Sequence, residues 1–266
     1  TSKVEIDSYG RRSLKNKDVK KFLLIFGCSF AWGEGVNNDK NFPYLINEGL
    51  KSHQVYNMSI QGGSINDVLP LAKTKSPLLS GIKQSNGVAL YIFKGYHIYR
   101  AYPSMRQLDN NSWLKHKQHL YKPRFKITEN LAKMEGYYVD LWYYKIISYL
   151  SNIKLLKYLK INLPINAYSQ GAKYFYKLLI NFENKLIKEM NVSELILVNL
   201  DQSKFNKYII ENWKKKHKKI IDISMYNLEK DNRFEAFYKG DGHPTELTHL
   251  IYSKLIVNEL KKLGIK

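Results

Sequence analysis

The chain has 266 residues, 44% of them hydrophobic and 25% charged, which suits one well-buried globular domain or a domain carrying a substantial insertion, and argues against a disordered or fibrous protein. Its formal charge of +20 raises the question of an acidic partner, yet the lysines are spread along the chain rather than gathered in a binding module, which reads as a solvated basic surface. A single cysteine, Cys28, excludes an internal disulfide framework, and no run approaches the roughly 20 apolar residues of a transmembrane helix.

Residues 1–19 are polar and basic and read as a lead-in. The run Phe22-Leu23-Leu24-Ile25-Phe26 predicts a fully buried parallel strand over 22–27. Lys20-Lys21 before it superficially resembles a lipoprotein signal, but the apolar part is shorter than the ~7–15 residues of a signal core, so a strand and a cytoplasmic location are expected. After Asn41, Phe42, Leu45, Ile46 and Leu50 have helical spacing. HQVYNMS predicts a second strand, about 53–58, ending at Gln61-Gly62-Gly63-Ser64. Ser64 or Asn66 can cap a helix running to about Leu79. GVALYIF, 87–93, is a third buried strand. This β-α-β-α-β order calls for a parallel sheet with right-handed crossovers. The rhythm resumes with an amphipathic helix over 173–190, a strand over 194–200, a basic helix over 206–218, a short strand over 220–223 and a closing helix over 246–263.

Between about 100 and 170 the rhythm breaks into an aromatic, basic stretch with Trp113 and Trp142; residues 101–190 hold eleven of the 21 tyrosines. Within it, Ile146, Ile147, Leu150, Ile153, Leu156 and Leu159 predict a helix over 143–160. A stretch this long between sheet strands is an elaboration rather than a structureless loop. It reads either as a cap, with Tyr and Trp for sugar rings and Arg or Lys for anions, or as extra core with tyrosine hydroxyls kept wet. Contact with an anionic bilayer surface is a third option.

A serine on the turn that ends a parallel strand sits at the carboxyl edge of the sheet, where open α/β folds place ligands. Ser29 is so placed, in Gly27-Cys28-Ser29-Phe30-Ala31-Trp32-Gly33-Glu34-Gly35. The neighbouring Cys28 is an alternative nucleophile, but adjacent residues at a strand end point in opposite directions, and Cys28 reads better as a small buried residue. Asn57 is followed five residues later by Gly62 directly after strand two, and Lys239-Gly240-Asp241-Gly242-His243-Pro244-Thr245 precedes the last helix, with Pro244 suited to its start.

In this order and at these intervals the blocks resemble the SGNH/GDSL hydrolase superfamily. The resemblance implies an α/β fold: a three-layer α/β/α sandwich on a mostly parallel five-stranded sheet, flavodoxin-like, in a single domain with a helical, aromatic-rich insertion at about 100–170. It also implies Ser29 as nucleophile, His243 as base and Asp241 as its orienter, with the N–H groups of Ser29 and Gly62 as oxyanion donors. Asp241 lies two residues before His243 where the family usually has three. The family's Gly-x-Asn-Asp block after strand three is missing; with Gly95 aligned to its glycine, His97 takes the place of the oxyanion-hole Asn. Tyr96 and Arg100 are then expected to bind substrate.

The expected activity is that of a serine ester hydrolase or O-acyltransferase working on O-acyl, above all O-acetyl, groups of a glycan or similar polar substrate, which the basic insertion suggests is anionic. No metal or other cofactor is expected, since no His, Asp or Glu spacing suits a ligand set. The competing expectation is an inactive module of the same fold that binds an anionic polymer through its basic surface. No helix-turn-helix, zinc or RNP pattern points to specific nucleic-acid recognition.

Overall fold

A computed structural model describes residues 2–72, 76–108, 118–128, 131–203, 206–216, 218–226 and 235–266. Its elements follow in chain order: β1 Lys21–Phe26, α1 Ser29–Trp32, α2 Phe42–Gly49, β2 His53–Asn57, α3 Ile65–Val68, β3 Asn86–Phe93, α4 Tyr96–Ala101, α5 Met105–Leu108, β4 Pro123–Ile127, β5 Ala132–Tyr137, α6 Trp142–Leu150, α7 Lys154–Tyr158, α8 Ala167–Met190, β6 Val192–Asn199, α9 Asn206–Lys215, β7 Ile220–Asp222 and α10 Glu246–Lys262.

Five strands form one sheet in the order β2-β1-β3-β6-β7, every neighbouring pair parallel. The chain leaves β1 to one side for β2 and returns on the other side for β3, so the order reverses at β1, where a doubly wound sheet opens a crevice beyond its strand ends. Because a strand turns alternate residues to opposite faces, β1 feeds two cores. Phe22, Leu24 and Phe26 pack with Phe175, Leu178 and Phe182 of α8 and with Ile209 and Trp213 of α9. Leu23 and Ile25 pack on the other face with Phe42 and Ile46 of α2 and Ile256 and Leu260 of α10. The result is the expected α/β/α sandwich.

Two predicted helices come out differently. The one starting at Ser64 is a single turn, α3, continued by 3-10 turns at Leu69–Leu71 and Pro77–Leu79; residues 73–75 lie outside the described residues. Pro70 and Pro77 lack the N–H that a continuous helix needs, and each stands at the start of its 3-10 turn. The predicted helix over 143–160 is two, α6 and α7, parted at Ser151–Ile153. The insertion also contains a hairpin, β4–β5, that hydrophobic patterning did not reveal, and a small core of its own built from Met105, Leu108, Leu120, Tyr138, Tyr144 and Ile147. Trp113 lies outside the described residues.

His249 on α10 ties the last helix to the first long one. It is fully buried, its Nδ1 accepts the N–H of Phe42 at 3.2 Å, and its ring packs on the Phe42 ring. Burial, with Arg12 and His243 adding to it, pushes its pKa down to about 3; burial, Arg100 and Lys122 do the same for His119. Unfolded, either imidazole titrates at its ordinary value near 6.5. As pH falls from 6.5 towards 3 the unfolded chain therefore takes up protons that the folded chain refuses, and stability falls by up to about 1.4 kcal/mol per pH unit for each histidine. Urea midpoints between pH 6.5 and 5, above most carboxylate titration, should drop accordingly. His249→Gln should lower stability at neutral pH yet flatten that slope; a slope left unchanged counts against the assignment.

Candidate active site

The site begins where β1 ends. Cys28 is extended and caps α1, and Ser29 is the first residue of that one-turn helix. A side chain at Gly27 would meet Ala31 Cβ at 2.8 Å and Ile92 Cβ at 3.1 Å, so only glycine lets the turn lie this close to β3. Two distant residues hold the turn from outside. Asn57, at the end of β2, donates to the carbonyls of Ala31 (3.1 Å) and Trp32 (3.4 Å). Arg12, from the N-terminal arm, is buried and donates to the carbonyls of Trp32 (3.2 Å), Gly33 and Val36 (2.6 Å) and to Asn38 Oδ1 (3.0 Å). Cys28 Sγ points into the core and lies 3.0 Å from the Tyr96 hydroxyl, whereas Ser29 Oγ faces the other way.

Ser29 Oγ lies 2.8 Å from His243 Nε2, and His243 Nδ1 lies 2.9 Å from Asp241 Oδ1. The short Asp-x-His spacing closes because Gly242 between them adopts φ +75°, and Gly240 before them φ +80°, in a tight loop. Tyr238 N–H donates to the His243 carbonyl at 2.9 Å, while the Tyr238 carbonyl accepts from the N–H groups of Asp241 (3.1 Å) and Gly242 (3.0 Å). In this left-handed turn, side chains two apart converge instead of running parallel. His243 is nearly buried and its ring packs at 5.8 Å from that of Phe30, whereas the Asp241 side chain is half-exposed. Glu34, on the turn after α1, brings a second carboxylate to 3.5 Å from His243 Nε2.

Gly62 lies on the loop after β2 at φ +64°. Its carbonyl accepts from Lys122 Nζ at 2.9 Å, and the Gly63 carbonyl accepts from Arg100 at 3.2 Å. Lys122 also pairs with Asp67 at 2.8 Å, and that carboxylate accepts the Ser64 N–H at 2.8 Å. The insertion thus reaches back, through Lys122, to pin the Gly62 loop.

His97 is not brought to this group. The stretch after β3 is the helix α4 rather than the loop that the Gly95 alignment implied, and it turns the imidazole into the core against Tyr91, Phe93 and Tyr96. Nδ1 lies 3.3 Å from the Tyr91 hydroxyl, and Nε2 is buried without a partner among the described residues. Burial, helped by Arg100, Lys94 and Lys122, holds its pKa well below the usual value. None of its surface is accessible in this conformation, so the ring is placed in the core rather than beside Ser29 and His243, against the expected place in the oxyanion hole. Arg100, expected to hold substrate, is buried; it stacks 4.4 Å from the Tyr96 ring centre and donates one bond to Gly63. Tyr96 as a residue is partly accessible, and its hydroxyl turns inward to Cys28. Burial, and then Cys28, raise that phenol well above its ordinary pKa.

Four contributors were not read from the sequence: Arg12, Glu34, Lys122 and Lys94, whose ammonium lies 4.1 Å from the Phe30 ring centre and near Phe237. Arg12, Glu34 and Lys122 have no local pattern that distinguishes them from solvated residues, and Lys94 reads only as the polar residue that follows β3. A cavity of about 770 Å³ between the N-terminal arm and β2 includes none of Ser29, His243 and Asp241.

No protein-family model and no curated protein matches this sequence. Solved structures do. One is a member of the lipolytic protein G-D-S-L family from Veillonella parvula, 10% identical, with 90% of this chain and 97% of that one covered at a TM-score of 0.50. Another is a two-domain esterase active on acetylated mannans, co-crystallised with mannopentaose, 12% identical at a TM-score of 0.51; the match covers 92% of this chain and 50% of that one. At such identity the likeness is one of architecture. The chain has the SGNH/GDSL hydrolase fold.

The Lys122–Asp67 pair is only 12% and 16% exposed, so each partner depends on the other more than a surface pair does. Asp67→Asn should destabilise the protein by about 2 kcal/mol, and a double-mutant cycle with Lys122→Met should show a coupling of about 1 kcal/mol or more. Urea titration of the four proteins measures it; additive effects mean that the two charges are screened by water.

Proposed function

We propose that this protein is a serine-dependent ester hydrolase or O-acyltransferase acting on O-acyl groups, above all O-acetyl, of a glycan or similar polar substrate. The observation that carries this reading is the unbroken chain Ser29 Oγ–His243 Nε2 (2.8 Å) and His243 Nδ1–Asp241 Oδ1 (2.9 Å) at the carboxyl edge of a sheet of this fold. In this reading Ser29 attacks the acyl carbon while His243 Nε2 takes the hydroxyl proton, and Asp241 holds the ring in the tautomer that allows it. The N–H groups of Ser29 and Gly62 make no hydrogen bond among the described residues, and they donate to the oxygen that becomes negative. Lys122 and Arg100, on the carbonyls of Gly62 and Gly63, hold that loop in place. Collapse of the tetrahedral intermediate breaks the ester C–O bond, and His243 returns the proton to the departing alkoxide. Water then releases the acyl group as a free acid, or a sugar hydroxyl takes it as a new ester.

The sharing of fold with an esterase active on acetylated mannans supports the substrate class, and the aromatic insertion supports a sugar. A second reading, an inactive module that binds an anionic polymer, draws on one observation: no side-chain amide stands where the family's Asn does, and His97 is buried.

Mass spectrometry after a fluorophosphonate probe separates the two, because only an activated serine is labelled. The adduct is expected on Ser29, and an unlabelled, folded protein favours the inactive module. On a small acetyl ester, Ser29→Ala and His243→Ala should each cost at least ~10⁴ in kcat. Asp241→Asn should cost less, about 10², because a half-exposed carboxylate leaves room for water to orient the ring. Full activity in Ser29→Ala sinks the mechanism.

A further inference from the structure

The large apolar side chains left exposed are concentrated in one segment. Of the twenty such side chains among the described residues, nine lie between 142 and 165, including Trp142 (72%), Tyr149 (73%) and Tyr158 (83%). The cause is visible in α6. Tyr144, Ile147 and Ser148 face inward, with the Tyr144 hydroxyl donating to the Pro103 carbonyl at 3.0 Å. The opposite side of the helix carries Trp142, Tyr143, Ile146 and Tyr149, so the helix is apolar on both faces. In a water-facing helix that outer face is polar. α7 continues the pattern with Leu155 and Tyr158 exposed and none of its residues buried. So many large apolar side chains exposed in one short segment mark a site of interaction.

Charge selects the partner. From Leu141 to Phe182 the sequence has six lysines and no Asp or Glu. Two copies meeting face to face would set lysine against lysine with only Asp140, at the border of the segment and already accepting the Tyr137 N–H, to pair them. A nucleic acid or acidic polysaccharide would take the lysines but leave Ile146, Leu155 and their aliphatic neighbours in water. An anionic lipid surface meets both demands: headgroup phosphates for the ammonium groups, the acyl boundary for the aliphatic side chains, and the zone between them for Trp and Tyr. We propose that the outer face of α6 and α7 docks this protein on an anionic bilayer surface. The helices lie on the membrane: no helix of the described residues is long and apolar enough to cross one.

The test is co-sedimentation of the whole chain with vesicles of phosphatidylcholine alone and of equimolar phosphatidylcholine and phosphatidylglycerol. A chain of charge +20 adheres to any anionic surface to some degree, so the discriminating variants are matched. The triple change Trp142→Ser, Ile146→Ser, Tyr149→Ser leaves net charge untouched and should weaken partition to the anionic vesicles at least tenfold. Lys145→Glu with Lys154→Glu should weaken it about thirtyfold, and the same charge change at Lys214 and Lys215 on α9 by clearly less. Trp142 emission should shift to the blue on anionic vesicles, a shift that Trp142→Phe removes. Folding of each variant is checked by circular dichroism, and the outward position of these side chains predicts that it is retained. Folded protein that stays in the supernatant overturns the proposal. So does vesicle binding that the triple variant leaves unchanged. Self-association lost in the triple variant, without vesicle binding, assigns the face to a second copy instead.

Discussion

Arg12 is buried with its guanidinium spread over the carbonyls of Trp32, Gly33 and Val36, and the turn that presents Ser29 has its shape because of it. A one-turn helix leaves its last carbonyls without intrahelical partners, and here they point inward rather than to water. A cation with five donors in a fixed fork satisfies several at once, and the carbonyl dipoles in turn offset part of what its burial costs. Charge-assisted bonds of this kind are worth about 1.5–3 kcal/mol each, and losing the donor strands every acceptor it served. Asn57 completes the bracket from β2, binding the carbonyls of Ala31 and Trp32. The Ser29 turn is therefore a strand end clamped from both sides, which holds its hydroxyl toward His243 while Cys28 beside it turns to Tyr96.

The base arrives by a different device. Among the described residues no distant side chain brackets the Asp241–His243 loop in the same way; it is shaped by its own backbone, through left-handed glycines and three hydrogen bonds that converge on Tyr238. Packing enters only at the ring, where Phe30, one residue beyond Ser29, lies against His243. One short stretch thus supplies both the hydroxyl and the apolar surface that orients the imidazole towards it. Asp241 stays half in water, so its hold on the ring is weaker than that of a buried carboxylate, and Glu34 on the open side offers the imidazole a competing acceptor.

What the sequence made legible follows from what each element buries. β1, β3 and β6 are largely apolar, and α8 and α10 have enough turns to show which side is buried; the strands and α10 were readable to within two residues, whereas α8 begins at Ala167, six residues before the predicted start. The β4–β5 hairpin, PRFKI and AKMEGY, is mostly exposed, so its hydrophobic pattern is too thin to announce a strand. Gly95 misled for another reason. It lies against Ser203 and Asn206, where a side chain would clash at 2.8–2.9 Å, so it is explained by close packing, and α4 follows directly, carrying His97 inward. Asp241 and His243 were legible as residue types; that two residues could close on each other needed the φ of Gly242, which no side chain encodes.

Two parts of the chain that lie far apart in sequence meet at the Ser29 turn, the arm at Arg12 and the loop at His243, 214 residues from Ser29, while the insertion reaches the Gly62 loop through Lys122. The entropy of closing so long a loop grows only logarithmically with length, so distance in sequence is a smaller obstacle than the order of assembly. A chain with only β1, β2 and β3 in place has Asn57 to hold the turn but no base, and the base depends on α10, which His249 fastens to α2. The Ser29–His243 contact thus joins the two ends of the chain across the same sheet.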